Sequence, residues 1–416
     1  MSNTKHNIHV IGAGVSGLVA AKVLEEKGCS PIIFEATGRV GGRVKTDIVE
    51  GYQLDRGFQV LLTAYPAIQK YIHMDALDLQ YFKPGAVLFD RNKKVTIGDP
   101  LRDITLLFPT LFSGIGTMTD KLKMFRLQTA LKCKTLTEIF QEEEVSTQTY
   151  LEKVGFSKEI IQQFFRPFFA GIFLEPHLTT SSRMFEFVYK MFGEGYASLP
   201  KSGIEAIPKQ LFQNLERTEI RYNTKVKRVK NGELILENGD CIESDYVIVA
   251  TDAGSLIPNL SGESRKWQSC DTLYFETNSR AIDKPLIGLL TDSELLINNI
   301  FFHTSLKMAT KQAGQLLSVT VVKTHGLSEE ALVLRVQKEL KECCGIEMSR
   351  FLKRYAIPKA LPSLNNLQYE VAPSETQLTG GVFLAGDTQL NGSLNAAMIA
   401  GERAALGVLE KIGGMR

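Results

Sequence analysis

The sequence predicts an α/β fold in which a parallel sheet is interrupted by a large inserted region of helices and strands. The first observation is a βαβ pattern near the N-terminus: an apolar strand, a glycine-rich turn, a helix and a second strand. The second is a block from residue 101 to about 190 whose apolar residues recur every three to four positions, which is typical of helices. The third is the return of short β-patterned segments after that block, residues 245–250 among them.

The N-terminal βαβ unit carries a phosphate-binding turn. Residues 8–11 predict a buried strand and residues 15–27 the helix that follows. Between them, Gly12-Ala13-Gly14-Val15-Ser16-Gly17 fits the pattern Gly-x-Gly-x-x-Gly. Gly12 permits the tight turn, Gly14 lets the backbone approach a pyrophosphate, and Gly17 lets the helix pack on the strand. Because the helix N-terminus also offers free N–H groups to phosphates, we predict a Rossmann-like dinucleotide-binding unit.

An acidic residue narrows the choice of dinucleotide. Residues 31–34 predict the second strand, and Glu35 ends it. A carboxylate at this position can accept hydrogen bonds from both ribose hydroxyls of an adenosine, and it would repel a 2′-phosphate. The pattern therefore disfavours NADP, while NAD and FAD both satisfy it.

Composition and charge exclude several other classes. The 416 residues suggest two or three domains, with 44% hydrophobic and 23% charged residues as in ordinary globular proteins. The net charge of +2 argues against a nucleic-acid partner. The first strand begins within ten residues and no apolar run reaches about eighteen, so we expect neither a secretory signal nor a transmembrane helix. Six scattered cysteines and six histidines without ligand spacing predict a reducing, cytoplasmic location and no metal.

A second glycine turn and three distant segments resemble one superfamily. Residues 35–43, Glu-Ala-Thr-Gly-Arg-Val-Gly-Gly-Arg, resemble the Glu-Ala-x-x-Arg-x-Gly-Gly-Arg of flavin amine oxidases, phytoene desaturases and protoporphyrinogen oxidases. The further matches are Leu54-Asp55-Arg56-Gly57, then Val226 with residues 245–251, and finally Leu384-Ala385-Gly386-Asp387 with residues 392–397. These segments cover the two ends and the middle of the chain.

The resemblance implies a discontinuous FAD-binding domain of the glutathione-reductase/monoamine-oxidase type, with an inserted α+β substrate domain. The FAD-binding domain would comprise residues 1–80, 200–255 and 370–416, and the substrate-binding domain residues 81–199 and 256–369. FAD would be held non-covalently, because the C-terminal cysteine of covalently flavinylated amine oxidases has no counterpart after Cys344.

The same resemblance implies roles for individual residues. Gly42 and Arg43 would approach the pyrophosphate, and Arg39 would support that turn. Val226 would contact the adenine through its backbone, and Asp387 would accept a hydrogen bond from a ribityl hydroxyl. The helix that begins near Asn395 would direct its N-terminus at flavin N1 and O2, and Arg56, Phe58 and Gln59 would lie nearest the isoalloxazine. The predicted cofactor-binding residues are Gly12, Ala13, Gly14, Val15, Ser16, Gly17, Glu35, Ala36, Arg39, Gly41, Gly42, Arg43, Gly57, Phe58, Gln59, Val226, Thr251, Gly386, Asp387, Leu394, Asn395 and Ala396. No side chain is assigned to catalysis.

The inserted region is strongly apolar, and two interpretations of this remain open. Residues 106–112 are bulky, and residues 164–173 are denser still in phenylalanine. Such clusters are typical of a helical core. They also suit a hydrophobic tunnel whose neighbouring segment, residues 104–118, touches a membrane surface.

The implied activity is oxidation or desaturation of a small apolar substrate, isoprenoid (carotenoid-like) or tetrapyrrole, by hydride transfer to flavin N5. Arg166-Pro167-Phe168-Phe169 and residues 181–185 resemble the bacterial desaturase and protoporphyrinogen-oxidase-like proteins. A flavin amine oxidase and a non-catalytic lipid-binding relative remain as alternatives. We expect a cytoplasmic protein with peripheral contact to the inner face of the membrane.

Overall fold

The computed structural model describes residues 6–90, 93–98, 102–103, 114–230, 232–257, 260, 265–310 and 314–414. Parallel and antiparallel sheets are combined with helices, which confirms the predicted α/β fold class. Residues 106–112 and most of the predicted membrane-facing segment lie outside the described residues. Arg91 and Asn92 lie outside them too.

The strands are short in the first half of the chain and longer in the second. In chain order they are β1 (Ile8–Ile11), β2 (Ile32–Phe34), β3 (Thr46–Val49), β4 (Tyr52–Asp55), β5 (Leu61–Leu62), β6 (Leu79–Tyr81), β7 (Gly85–Asp90), β8 (Lys93–Gly98), β9 (Ala197–Pro200), β10 (Glu219–Arg221), β11 (Val226–Lys230), β12 (Glu233–Leu236), β13 (Cys241–Glu243), β14 (Tyr246–Val249), β15 (Trp267–Thr277), β16 (Ile287–Leu290), β17 (Ile297–Phe302), β18 (Gln315–Val321), β19 (Met348–Pro362), β20 (Gln377–Thr379) and β21 (Val382–Leu384).

The helices concentrate in the inserted region. They are α1 (Val15–Glu26), α2 (Pro66–Tyr71), α3 (Met118–Cys133), α4 (Leu136–Gln141), α5 (Thr147–Val154), α6 (Lys158–Ile160), α7 (Arg166–Phe173), α8 (Ser182–Glu194), α9 (Ala206–Gln213), α10 (Glu329–Cys344) and α11 (Leu394–Gly414). A π-helical segment, Ile161–Phe165, joins α6 to α7. Among the described residues, no helix combines the length and apolarity that crossing a bilayer would require.

Two large sheets organise the molecule. The first has the order β10-β2-β1-β14-β21-β20 and is parallel except for its edge strand β20. The second has the order β19-β15-β18-β17-β16-β7-β8 and is antiparallel except where β16 pairs with β7. All strands of the first sheet lie in the residue ranges predicted for the FAD-binding domain, and all strands of the second lie in those predicted for the substrate-binding domain. The domain boundaries themselves stay a prediction.

Hydroxyl side chains start the helices of the inserted region. Thr117 and Thr135 form capping boxes with Asp120 and Glu138, which satisfies the first N–H groups of α3 and α4. Ser157 caps α6 by accepting from the Ile160 N–H. The helix that begins there widens to a π-turn before Pro167, whose ring nitrogen has no hydrogen to donate to the preceding turn.

Candidate functional site

One cavity of about 1850 Å³ connects the glycine turns with the helical region. Ligand pockets typically hold roughly 300–1,000 Å³, so this cavity has room for a cofactor and a second ligand. Every predicted cofactor-binding residue lines it except Ala13, Gly17, Arg39, Asn395 and Ala396. The structure therefore brings together residues that are almost 400 positions apart in the chain.

The two glycine turns meet at the N-terminus of α1. Gly12 has a φ of +100°, and its N–H donates to the Phe34 carbonyl at 2.8 Å. The Gly41 N–H donates to the Ala13 carbonyl at 2.9 Å, which ties the second turn to the first. A Cβ at Gly17 would lie 2.0 Å from the Gly12 carbonyl oxygen. Gly17 thus permits the close packing of helix and strand that the motif predicts, away from the cavity surface.

Glu35 is buried between these turns and serves the protein itself. Its Oε2 accepts from the Ala13 N–H at 2.8 Å. Its Oε1 accepts from the N–H and the hydroxyl of Thr37, at 2.9 and 2.7 Å. Each carboxylate oxygen accepts about two hydrogen bonds, so Oε2 retains capacity for a ribose hydroxyl. Sequence reasoning assigned Glu35 to a ligand alone and missed its hold on the glycine turn.

The N-terminus of α1 fits the pyrophosphate of a dinucleotide. Gly14 is the N-cap and supplies no side chain, so the first N–H groups of α1 have no side-chain cap. A Cβ at Gly14 would meet only the Gly42 Cα, at 3.9 Å. The Ser16 hydroxyl is buried and has no hydrogen-bond partner among the described residues. An unpaired donor beside an uncapped helix N-terminus suits an anionic group.

Arg43 and Asp387 were predicted to contact different parts of the cofactor, and they form an ion pair with each other. Arg43 Nη2 lies 2.5 Å from Asp387 Oδ1, and Arg43 Nη1 donates to the Ala360 carbonyl at 2.9 Å. The guanidinium also lies over the ring of Trp267, 5.4 Å from its centroid. Sequence reasoning missed Trp267, the one tryptophan of the chain, because no motif surrounds it.

Arg39 lies beneath the second glycine turn, in a charged cluster. It pairs with Asp47 and Glu205. Burial alone would raise the pKa of Asp47, but hydrogen bonds from Arg56, Arg39 and Tyr355 lower this pKa to about 2. The role of Arg39 in supporting the second glycine turn stays a prediction.

Asp55, the acid of the matched Asp-Arg-Gly segment, is also buried beneath this turn. Burial raises the pKa of Asp55 to about 6, although its carboxylate accepts from the Thr46 hydroxyl at 2.6 Å and the Ile204 N–H at 3.1 Å. The carboxylate of Asp55, the last residue of β4, therefore links β3 to the chain before α9 and does not line the cavity.

The C-terminal segment divides between cavity and core. Gly386, Asp387 and Leu394 line the cavity. Ser393 caps α11 by accepting from the Ala396 N–H at 3.0 Å. Asn395 is fully buried, and its Oδ1 accepts from the Ala67 N–H of α2 at 3.0 Å. The side chain of Asn395 thus holds α11 against α2, which the motif alone did not indicate.

The positions predicted to lie nearest the isoalloxazine, Arg56, Phe58 and Gln59, line the cavity between the second glycine turn and the second sheet. Gln59 Nε2 donates to the carbonyls of Arg43 and Arg56, so it fixes the chain between the second glycine turn and Gly57. Phe58 packs on Phe301, with ring centroids 5.4 Å apart, and edge-on to His303. Of the remaining predictions, Ala36, Val226 and Thr251 line the opposite end, beside Glu35.

The aromatic cluster of the inserted region divides between the core and the cavity wall. Phe165 and Phe185 are completely buried and pack on each other in the core. Phe164 and Phe168 stack at 5.6 Å and line the cavity, together with Met184. The π-turn places Phe164 on the cavity side, and such turns are frequent at functional sites. Among the described residues no three His, Cys, Asp or Glu side chains gather as a metal site.

Comparisons with known proteins agree with this geometry. Residues 15–409 match the family model described as flavin containing amine oxidoreductase. An L-amino acid oxidase of Cerastes cerastes is 27% identical over 277 residues, 61% of this chain and 52% of that protein, so the chain spans about half the length of this curated relative.

Two solved structures share the fold over nearly the full chain. A candidate protoporphyrinogen oxidase of Exiguobacterium sp. 255-15 has a TM-score of 0.70 at 18% identity, covering 99% of this chain and 100% of that one. A putrescine oxidase bound to putrescine has a TM-score of 0.71 at 15% identity, covering 97% and 99%.

Proposed function

This chain belongs to the flavin containing amine oxidoreductases, and from that premise we propose that it is an FAD-dependent oxidoreductase that oxidises or desaturates an apolar substrate. The observation that carries the proposal is the continuity of the cavity. At one end lie the uncapped N-terminus of α1 and Glu35, and at the other lie Phe164 and Phe168. We call the part of the cavity lined by Phe164, Phe168 and Met184 the aromatic chamber. A polyene or a tetrapyrrole has the apolar surface that this chamber would bury.

The chain's own residues would hold FAD at the first end. The N–H groups of α1 and the Ser16 hydroxyl would bind the pyrophosphate, and Glu35 would bind the ribose. FAD, when bound, would supply two-electron oxidation of the substrate. The aromatic chamber orients the substrate and excludes water from it.

The proposed attachment of FAD is non-covalent. Residues 386–397, the C-terminal segment beside the cavity, contain no cysteine, histidine or tyrosine that could form a bond to the flavin ring. Acid precipitation of the purified protein should release the flavin into the supernatant. Flavin that stays with the pellet would contradict this attachment.

An amine oxidase is the second candidate, because the family match and the putrescine oxidase fold favour it. The scarcity of carboxylates in the lining of the aromatic chamber argues against an amine substrate. Of the described lining residues between 97 and 193, Glu144 is the only carboxylate, and it already lies 3.9 Å from Arg183. A protonated amine entering this part of the cavity would find little negative charge.

The substrate reaches the cavity from a membrane surface in this proposal. Met118, Leu122 and Phe125 of α3 are about half exposed or more, and their spacing puts them on one side of the helix. Phe125 also lines the cavity, and the exposed Arg126 and Lys132 suit anionic lipid headgroups. The proposed location is therefore cytoplasmic, at the inner face of the membrane, where all six cysteines would remain free thiols as they are here.

Anaerobic titration of the bound flavin tests the function. Bleaching by a carotenoid precursor or a porphyrinogen, but not by primary amines, is the expected result. Bleaching by amines alone would favour the second candidate. Protein that is colourless and stays so after FAD is added would support a non-catalytic lipid-binding relative.

A further inference from the structure

A row of polar side chains crosses the second sheet on the side that faces the cavity. Tyr355 of β19 lies opposite Thr272 of β15, Thr272 lies opposite Thr320 of β18, and Thr320 lies opposite Asn299 of β17. Directly opposed residues of antiparallel strands point to the same face. Tyr355, Thr320 and Asn299 line the cavity, and Thr272 lies between two of them.

The centre of this row has unused hydrogen-bonding capacity. The Thr272 hydroxyl is completely buried and has no hydrogen-bond partner among the described residues. The Thr320 hydroxyl accepts from Asn299 Nδ2 at 3.3 Å, which leaves its own hydrogen to donate. An unsatisfied buried polar group costs about 1–3 kcal/mol, so natural folds rarely retain one without a reason.

The neighbouring row of the same sheet face shows the usual arrangement. There Tyr274 lies opposite Ser318. The Tyr274 hydroxyl donates to the Asp55 carbonyl at 2.8 Å, and Ser318 Oγ lies 3.0 Å from His303 Nε2. This second row is satisfied within the protein. The contrast indicates that the Thr272–Thr320 position is arranged for a group that comes from outside.

The amide end of the row is held against the wall of the chamber. Asn298 Nδ2 donates to the Pro167 carbonyl of α7 at 3.1 Å and to Asn299 Oδ1 at 3.0 Å. A Cβ at Gly171 would lie 2.8 Å from Asn298 Nδ2, so α7 can approach this closely only with glycine there. Asn299 is therefore fixed where the helix that carries Phe168 meets the sheet.

The chemistry of the row selects a neutral ligand group. Threonine and asparagine are uncharged, and each offers both a donor and an acceptor. Asp271, beside the row, pairs with Arg354 and His325. Asp47, which accepts from the Tyr355 hydroxyl at the far end of the row, is paired with two arginines. A buried carboxylate or ammonium would lack a counter-charge at this position and would be costly to bury.

We infer that Thr272, Thr320 and Asn299 form a binding site for a neutral carbonyl or hydroxyl group carried by the apolar substrate. This inference rests on the proposed function and adds one polar group to its substrate class. That group would anchor one end of the substrate at the sheet while the apolar remainder fills the chamber of Phe164 and Phe168.

Equilibrium dialysis of the flavin-loaded protein against two matched probes tests the site. Acetophenone carries a carbonyl where ethylbenzene carries a methylene group. Ethylbenzene is the less polar probe and gains more on leaving water, so the quantity compared is the ratio of the two dissociation constants in wild type and in each variant. Thr320→Val and Thr272→Val should each shift this ratio against acetophenone by roughly three- to tenfold, as the loss of one neutral hydrogen bond would give, without changing ethylbenzene binding.

The variants and controls separate this inference from the proposed function. Thr272→Val removes an unpaired hydroxyl, so it should fold even where Thr320→Val does not. Thr277→Val is the matched control, because Thr277 is a buried threonine of the same strand that lies outside the row, opposite Gln315, and its hydroxyl donates to the Ser279 carbonyl. A wild-type protein without flavin would overturn the proposed function. A flavin-loaded protein in which Thr320→Val and Thr272→Val leave the ratio of the two dissociation constants as in wild type would overturn the polar site.

Discussion

Replacing Glu35 by glutamine should weaken FAD binding, because a charged acceptor for a ribose hydroxyl is lost. The substitution keeps the length and shape of the side chain. Its amide nitrogen, however, would face a donor, either the Ala13 N–H or the two donors of Thr37. A hydrogen bond to a charged group contributes about 1.5–3 kcal/mol, and 1.4 kcal/mol is a factor of ten. We therefore expect Kd for FAD to rise by roughly ten- to a hundredfold.

Weaker FAD binding in Glu35→Gln could also result from damage to the glycine turn, so the experiment needs a control. Glu25 provides one, because its environment closely matches that of Glu35. Glu25 is equally buried, and its carboxylate accepts from the N–H groups of Glu216 and Arg217 and from the Thr218 hydroxyl. It does not line the cavity. Glu25→Gln should therefore lower the free energy of unfolding by a similar amount while Kd for FAD stays unchanged.

Both quantities are measurable on the same samples. Apoprotein is titrated with FAD by the quenching of flavin fluorescence, and urea unfolding is followed by circular dichroism. An unchanged Kd in Glu35→Gln would refute the ribose contact. Equal weakening in Glu35→Gln and Glu25→Gln would show that stability, not a direct contact, controls FAD affinity.

Three further predictions follow from the same geometry. Gly17→Ala places a Cβ 2.0 Å from a carbonyl oxygen and should lower the free energy of unfolding by about 1–3 kcal/mol. Gly14→Ala, whose Cβ enters the cavity, should instead leave urea unfolding unchanged and weaken FAD binding. Equal urea midpoints in the two variants would contradict this. Burial raises the pKa of Asp55 from 3.8 to about 6, so its contribution to stability is fully present below pH 3.8 and is lost as pH rises through 6. Wild type should therefore lose about 3 kcal/mol of unfolding free energy relative to Asp55→Asn between about pH 3 and pH 7, and parallel pH profiles of urea unfolding would refute the assignment. Leu122→Glu places a charge among Met118, Leu122 and Phe125, the exposed apolar residues of α3. It should reduce sedimentation with vesicles containing anionic phospholipid several-fold compared with Lys132→Gln, and sedimentation equal to wild type would exclude α3 as the contact.

Local patterns were sufficient for the elements around the first glycine turn. The strand before Gly12, the helix after it and the strand that ends at Glu35 each depend on residues within one short segment, so apolar periodicity and turn chemistry predict them. The roles of Gly12 and Gly17 were equally predictable, because the φ of one and the packing of the other are local consequences of the βαβ turn.

Local patterns were insufficient where a side chain had more than one available partner. Glu35 and Asn395 were assigned to the cofactor, yet Glu35 also binds the turn and Asn395 binds α2. The π-turn before Pro167 and the division of the phenylalanines between core and chamber were also beyond periodicity, because both faces of that helix are apolar.

The sequence by itself determined the fold class, the dinucleotide-type turn and the family, because these depend on glycines, caps and spacings that act over a few residues. Only the tertiary structure decided that Arg43 meets Asp387 and that Thr272, Thr320 and Asn299 form one row. Strand register in an antiparallel sheet is set by how whole strands pack, and it joins residues that carry no common signal along the chain. For this reason motifs predicted the part of the cavity lined by the glycine turns, while they did not predict the part lined by the second sheet.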